Sequence, residues 1–264
     1  MSDAMRNPRN WNLAPLVAAL ALAALCAGCA SRSGIGPATP QPAAVAPLPS
    51  PAPTAQPVPA MTQEAQAAIS PAQALQRLKE GNARFVAGVS LPRDLRAQMT
   101  ATGGGQYPFA SVLGCIDSRV PPELVFDEGL GDVFSARIAG NFVDSAMLGS
   151  LEFASKVSGS RLILVLGHTE CGAIKGACDG VKLGNLTKTL SYIHPAVAAV
   201  KNVPGERSSK NKEFVNAVTH MNVKLTMEAI RKQSPILDAM IAHGEVGLAG
   251  GVYDVRTGVV EFLE

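Results

Sequence analysis

The spacing of apolar residues along this chain changes character twice. An apolar run from Leu13 to Ala27, broken only by Pro15, comes first; residues 36–60 then hold nine prolines among Ala, Gln and Thr with no periodicity. Regular periods begin near residue 70. Ser70-Pro71 has the form of an N-cap followed by proline in the first helical turn, and Ala74, Leu75, Leu78, Phe85 and Val86 recur near helical spacing, which predicts a helix over roughly 71–87. Phe109–Leu113 and Arg161–Leu166 are short apolar runs that stop at Gly114 and Gly167, with an amphipathic helical pattern at about 144–157 between them. Strand, helix, strand is the parallel crossover unit. Val133–Arg137 reads as a further strand, and Val246–Val255 with Val259–Leu263 as a terminal hairpin turned at Arg256-Thr257-Gly258. Helical stretches fall at about 185–200 and 209–232. The pattern predicts an α/β fold with a mainly parallel sheet flanked by helices, an N-terminal helix whose apolar face needs cover and a C-terminal β-hairpin.

Composition divides the 264 residues in the same places. The formal net charge is +2, yet residues 1–32 hold three arginines against one aspartate and residues 33–63 hold no charged side chain. Residues 64–264 carry 20 basic and 20 acidic residues. A neutral folded part offers no phosphate-neutralising surface, so no nucleic-acid partner is expected; a small-molecule enzyme or a binding module fits better. Arg6 and Arg9 ahead of the apolar run make the first segment read as a signal peptide, its hydrophobic part too short for a stable span, with a plain secretory signal or an uncleaved anchor as the alternatives to a lipoprotein signal. Leu25-Cys26-Ala27-Gly28-Cys29 resembles the lipobox of bacterial lipoproteins, departing from it at Cys26. That resemblance implies cleavage after residue 28, lipid on Cys29, and a protein anchored to a membrane facing the periplasm or cell exterior. Residues 29–69 would then be a disordered Pro/Ala-rich tether, able to reach on the order of 100 Å at about 3.1 Å per residue. The domain proper would be 70–264.

The two predicted parallel strands end at Gly114 and Gly167, and Cys115-Ile116-Asp117-Ser118-Arg119 and His168-Thr169-Glu170-Cys171 follow them. Ligands of open α/β sheets sit at the carboxyl ends of strands. Cys115, His168 and Cys171 form a Cys2His donor set that leaves a fourth position open, the count of a catalytic zinc site. Spacing alone leaves a disulfide between the strand-end cysteines equally open.

Cys115-x-Asp117-Ser118-Arg119-Val-Pro with Gly-His168-Thr-x-Cys171-Gly-Ala is similar to the paired signature of the β-class carbonic anhydrases. Gly131-Asp-Val-Phe134, Arg137-x-Ala-Gly-Asn141 and Gly250-Gly-Val-Tyr-Asp254 agree with it, and the likeness runs from about 71 to 264. The resemblance implies one Zn²⁺ per subunit on Cys115, His168 and Cys171, and an Asp117–Arg119 dyad beside it. It implies the reaction CO2 + H2O ⇌ HCO3⁻ + H⁺ by zinc-bound hydroxide, with CO2 and bicarbonate as ligands and at least a homodimer as the assembly. Arginine is always charged and fork-shaped, suited to holding a carboxylate away from the metal. Gln106 matches the substrate-orienting glutamine of the plant-like group, acting across the dimer interface, and Gly172 follows the last ligand at the substrate site. Val112 stands where members with an aspartate-closed zinc carry tryptophan, so Asp117 is expected to stay off the metal. Two alternatives stand beside this reading: a carbonyl sulfide or carbon disulfide hydrolase of the same fold, and a zinc-binding lipoprotein without turnover. Cys178 reads as a plain thiol, and His194, His220 and His243 as surface or helix residues that could pass protons. Phe126, Phe134, Phe142 and Phe153 fit either the core or an apolar channel. Gly103-Gly104-Gly105 lacks the Lys-Ser/Thr of a phosphate loop.

Overall fold

The computed structural model describes residues 56–263; the segment expected to be a signal peptide, Cys29 and the first part of the expected tether lie outside the described residues. The sequence builds α1 (Gln63–Ala68), α2 (Pro71–Val86), α3 (Leu95–Thr102), β1 (Ala110–Gly114), α4 (Pro122–Val125), β2 (Val133–Arg137) and α5 (Ser145–Glu152). A π-helical turn at Phe153–Val157 leads to β3 (Leu162–His168), α6 (Gly172–Cys178), α7 (Gly184–Ser191), α8 (His194–Ala199), α9 (Lys212–Gln233), α10 (Pro235–Ala242), β4 (Gly247–Tyr253) and β5 (Val260–Leu263).

The five strands form one sheet in the order β2-β1-β3-β4-β5, all parallel except β5, which runs antiparallel to β4. β3 is buried along its whole length because helices cover both faces, and its near-continuous apolar sequence follows from that. Side chains alternate across it. Leu162, Leu164 and Leu166 pack with Phe109, Phe126 and the α2 residues Ala74 and Leu78. Ile163 and Val165 face the other way, onto Val223 and Ile230 of α9 and Leu237 of α10. A third apolar cluster gathers Cys115, Cys171, Ile174, Leu190, Ile193 and Phe214 at the carboxyl end of the sheet.

Local signals explain the element ends. Ser70 and Gln73 close a reciprocal capping box ahead of α2, each satisfying an orphan amide of the other's turn. Gly81 in α2 approaches the Phe126 carbonyl so closely that a Cβ would lie 1.8 Å from that oxygen. The buried Asn82 side chain donates to the Val125 and Gly258 carbonyls and accepts from the Val260 amide, tying α2 to the terminal hairpin.

Three expectations change in detail. The helix expected at 185–200 is two helices, because proline at 195 lacks an amide and disfavours helical backbone before it. The pattern at 144–157 ends in the π-helical turn. Within the stretch expected to be tether, residues 56–69 are packed: Thr62 caps α1, and buried Gln66 donates to the Pro108 and Ser158 carbonyls at 2.8 and 2.7 Å. Hydrogen bonds hold this segment, which is why apolar periodicity gave no sign of it.

Candidate metal centre

β1 and β3 are hydrogen-bonded neighbours running the same way, so Cys115, one residue past β1, and His168, the last residue of β3, arrive side by side. The chain then turns through Thr169 and Glu170, the latter left-handed at φ 59°, and returns Cys171 as the N-cap of α6. The three ligand atoms lie within 4.8 Å of one another and are buried. The two sulfurs are 3.9 Å apart. A disulfide requires about 2.05 Å, whereas two thiolates at about 2.3 Å from one tetrahedral ion stand roughly 3.8 Å apart. The separation fits a shared ion, and all three described cysteines are free.

His168 is prepared in the same sense. Its Nδ1 lies 2.9 Å from the Thr169 carbonyl, to which only a protonated nitrogen can donate. That fixes the tautomer and turns a lone pair outward on Nε2, a buried atom with no hydrogen-bond partner among the described residues. The thiols are in conflict without a cation. The contact with the Cys171 sulfur, together with the Gly140 and Asp117 amides, pulls Cys115 below the ordinary thiol range against its burial. Cys171, the other member of that contact, is pushed far above the ordinary thiol range by it and by burial, while the Ile174 and Ala173 amides at the head of α6 pull the other way. A divalent cation between the sulfurs removes the conflict by stabilising both thiolates.

Beside this triad, Arg119 grips Asp117 with Nε donating to Oδ1 at 2.9 Å and Nη2 to Oδ2 at 2.8 Å; its backbone amide adds a third bond at 3.0 Å. Those bonds hold the Asp117 carboxyl well below the usual carboxylate range. Asp117 Oδ2 is 3.9 Å from His168 Nε2, close to the ion position yet committed to arginine. Arg137 of β2 donates to the Cys115 carbonyl at 2.8 Å and the Asp117 carbonyl at 2.5 Å, and the Gly140 amide donates to the Cys115 sulfur at 3.4 Å. Arg137 and Gly140 belong to the Arg137-x-Ala-Gly-Asn141 stretch, whose pattern by itself gives neither a role. Both fix the loop that carries Cys115 and the Asp117–Arg119 pair.

A cavity of about 230 Å³ opens beside Cys115 and Asp117, lined by Ile116, Ala139, Gly172, Ala173, Gly176, Leu186 and Leu190. Gly172 thus sits at the site. Gln106 does not: it lies in the loop after α3 with Gly103–Gly105, Leu130 and Gly131, lining a separate depression of about 590 Å³. Phe126 is buried in the core and Phe142 stacks on Tyr192 with ring centroids 4.3 Å apart. Phe134 and Phe153 meet edge to face and line a second cavity of about 590 Å³ along edge strand β2. Cys178 ends α6, half-buried, its thiol pushed up to about 11 by burial. His194 begins α8, His220 lies in α9 at 3.8 Å from Glu261, and His243 caps α10.

A parallel sheet that presents a Cys2His triad with an adjacent carboxylate at its strand ends defines a metalloenzyme of the α/β class. Residues 110–260 match the family model described as "Carbonic anhydrase". The chain is 39% identical over 197 residues to "Carbonic anhydrase 2" of Mycobacterium tuberculosis, covering 72% of this chain and 91% of that protein. It is 35% identical over 198 residues to the carbonic anhydrase of Mycolicibacterium smegmatis, covering 73% and 93%. Among solved structures it is similar to the β-carbonic anhydrase CafA of Aspergillus fumigatus, with a TM-score of 0.56 and 28% identity over 73% of this chain and 90% of that one. The Coccomyxa β-carbonic anhydrase in complex with acetazolamide also gives 0.56, with 25% identity over 72% and 81%. The chain belongs to the carbonic anhydrase family, as an enzyme of its β class.

Proposed function

We propose that this enzyme interconverts carbon dioxide and bicarbonate, CO2 + H2O ⇌ HCO3⁻ + H⁺, with one Zn²⁺ held by Cys115, His168 and Cys171. The observation that carries this reading is the buried, unpartnered Nε2 of His168 in one cluster with two buried sulfurs 3.9 Å apart, a separation that suits a tetrahedral ion. Zinc, when bound, acts as a Lewis acid that makes water a nucleophile near neutral pH. Two thiolates leave it less acidic than three imidazoles would.

The chain's own residues supply orientation. Asp117, kept ionised by the Arg119 fork, accepts a hydrogen bond from the attacking oxygen and aims the remaining lone pair at carbon. Arg119, by holding both carboxylate oxygens, would keep Asp117 from binding the ion itself, which favours an open site. Ala139, Ala173, Gly176, Leu186 and Leu190 give an apolar wall suited to an uncharged triatomic substrate, and Gly172 adds no side chain that would crowd it. Gln106 would orient substrate in a partner's site, in keeping with its distance from this subunit's cavity. A homodimer or larger assembly is supported by the exposed apolar Ile116, Leu124, Leu130 and Phe153 and by the similarity to a tetrameric β-carbonic anhydrase of Sordaria macrospora, at 26% identity and a TM-score of 0.55.

Export and lipid attachment at Cys29 complete the reading. They rest on the leader and lipobox pattern in the sequence; no described helix is long and apolar enough to cross a membrane. The test is stopped-flow CO2 hydration with zinc content measured on the same sample. Asp117→Ala should keep its zinc and lose most hydration. Unchanged turnover would remove the aspartate from the mechanism, and dominant sulfide release from carbonyl sulfide would replace the substrate.

A further inference from the structure

Glu170 stands between two of the metal ligands, and its backbone is in a conformation that residues other than glycine avoid, φ 59°. Something outside the turn has to hold it there. Its carboxylate has two partners from separate parts of the fold. Lys175 of α6 pairs with Oε2, and Arg256 approaches Oε1 with Nη2 at 3.3 Å. Arg256 comes from the tip of the β4–β5 hairpin, 86 residues away. That tip is itself well fixed: Asp254 Oδ1 accepts from the Arg256 and Thr257 amides at 2.7 and 3.1 Å, and the Asp254 carbonyl accepts from Gly258 at 2.9 Å.

The neighbouring residue is tied to the same hairpin. The Thr169 amide donates to the Tyr253 carbonyl at 2.9 Å, and its Oγ1 accepts from the Val255 amide at 3.1 Å. The Thr169 carbonyl is the one that accepts from His168 Nδ1. Both residues between His168 and Cys171 are therefore anchored to the chain's last hairpin, one through backbone and hydroxyl, the other through charge.

We propose that Glu170, bridging Lys175 and Arg256, is a positioning residue: it clamps the 168–171 turn in its metal-binding shape and so raises the affinity for zinc. The proposal rests on the zinc reading above. Exposed ion pairs contribute little by themselves, and the Arg256 side chain is 70% exposed. Here the pair acts on a strained turn whose two ends are ligands, where partners just beyond the ligands typically change metal affinity 10–100-fold.

The test is the zinc dissociation constant of the whole protein by chelator competition, with the visible spectrum of the Co²⁺-substituted protein as a readout of ligand geometry. Arg256→Ala leaves every residue of the turn in place. It and Glu170→Gln should weaken zinc by about tenfold and shift the cobalt bands, and Arg256→Lys should recover most of the affinity. Glu170→Gly, which relieves the left-handed backbone while deleting the carboxylate, should also bind weakly. Zinc constants within twofold of the parent for both Arg256→Ala and Glu170→Gln would overturn the clamp. A parent that takes up no zinc would instead overturn the reading on which the clamp depends. Unchanged melting of Arg256→Ala apoprotein separates a local effect at the turn from general unfolding.

Discussion

Removing the metal and oxidising the apoprotein should join Cys115 to Cys171. The sulfurs stand 3.9 Å apart and must close to about 2.05 Å, so each travels on the order of 1 Å. Gly114 and Gly172 flank the pair, and neither has an atom within 4 Å of where a Cβ would be, which leaves the local backbone room to shift. The cross-link would span 56 positions, and in the chain-entropy model a loop of that size stabilises by about 4 kcal/mol. Strain at two buried sites and the lost thiol–thiol contact subtract about 1–3 kcal/mol. The balance is a melting temperature roughly 2–10 °C above that of the reduced apoprotein, with no zinc uptake until a reductant is added. Mass spectrometry should find the chain lighter by two hydrogens, with the bridge on Cys115 and Cys171 and the Cys178 thiol still free. Zinc-loaded protein should resist the same oxidant. Oxidation at the same rate with and without zinc, or a bridge that involves Cys178, would refute the assignment of these sulfurs to one ion.

Other consequences follow from individual contacts. Arg119→Ala frees the Asp117 carboxylate beside the metal position; CO2 hydration should fall about 10–100-fold with zinc content unchanged, and loss of zinc would mean that Arg119 supports the ligands instead. Asp117 has a folded pKa below its unfolded value, so the stability it contributes is complete above about pH 4 and is lost only as pH falls through the depressed folded value. It should give no limb to a pH–rate profile between about pH 5 and 9, where activity should rise toward alkaline pH because two thiolates reduce the acidity of the metal. A flat profile would contradict that. Gly81→Ala places a Cβ 1.8 Å from the Phe126 carbonyl oxygen, a backbone clash that should cost about 2–3 kcal/mol, read as a fall of roughly 4–12 °C in melting temperature; a change under about 1 °C would mean that α2 is not packed so closely.

The parts of this fold legible in the sequence are those written as apolar periodicity. Val133–Arg137 is a strand with the bounds expected, helix α2 ends one residue short of its expected end, and the two glycine-stopped runs are adjacent parallel strands. The clustering of Cys115, His168 and Cys171 is legible because donor chemistry and strand ends coincide at Cys115 and His168. What stayed hidden depends on contacts between distant segments. Helix α1 is held by Gln66 reaching the Pro108 and Ser158 carbonyls, and no local pattern announces a buried glutamine. Arg137 reads as an ordinary end of a strand until its guanidinium is seen on the Cys115 and Asp117 carbonyls. Arg256 looks like a turn residue because only the folded hairpin brings it to Glu170. Helix α10, by contrast, carried its own signal in Ser234-Pro235, an N-cap followed by proline.

The most direct test is zinc reconstitution of the purified whole protein, followed by stopped-flow CO2 hydration. The account predicts that metal-free, reduced protein is inactive and that turnover rises linearly with added zinc, breaking at one equivalent per chain. Hydration by protein shown to hold no zinc, or none after one equivalent has bound at Cys115, His168 and Cys171, would contradict it.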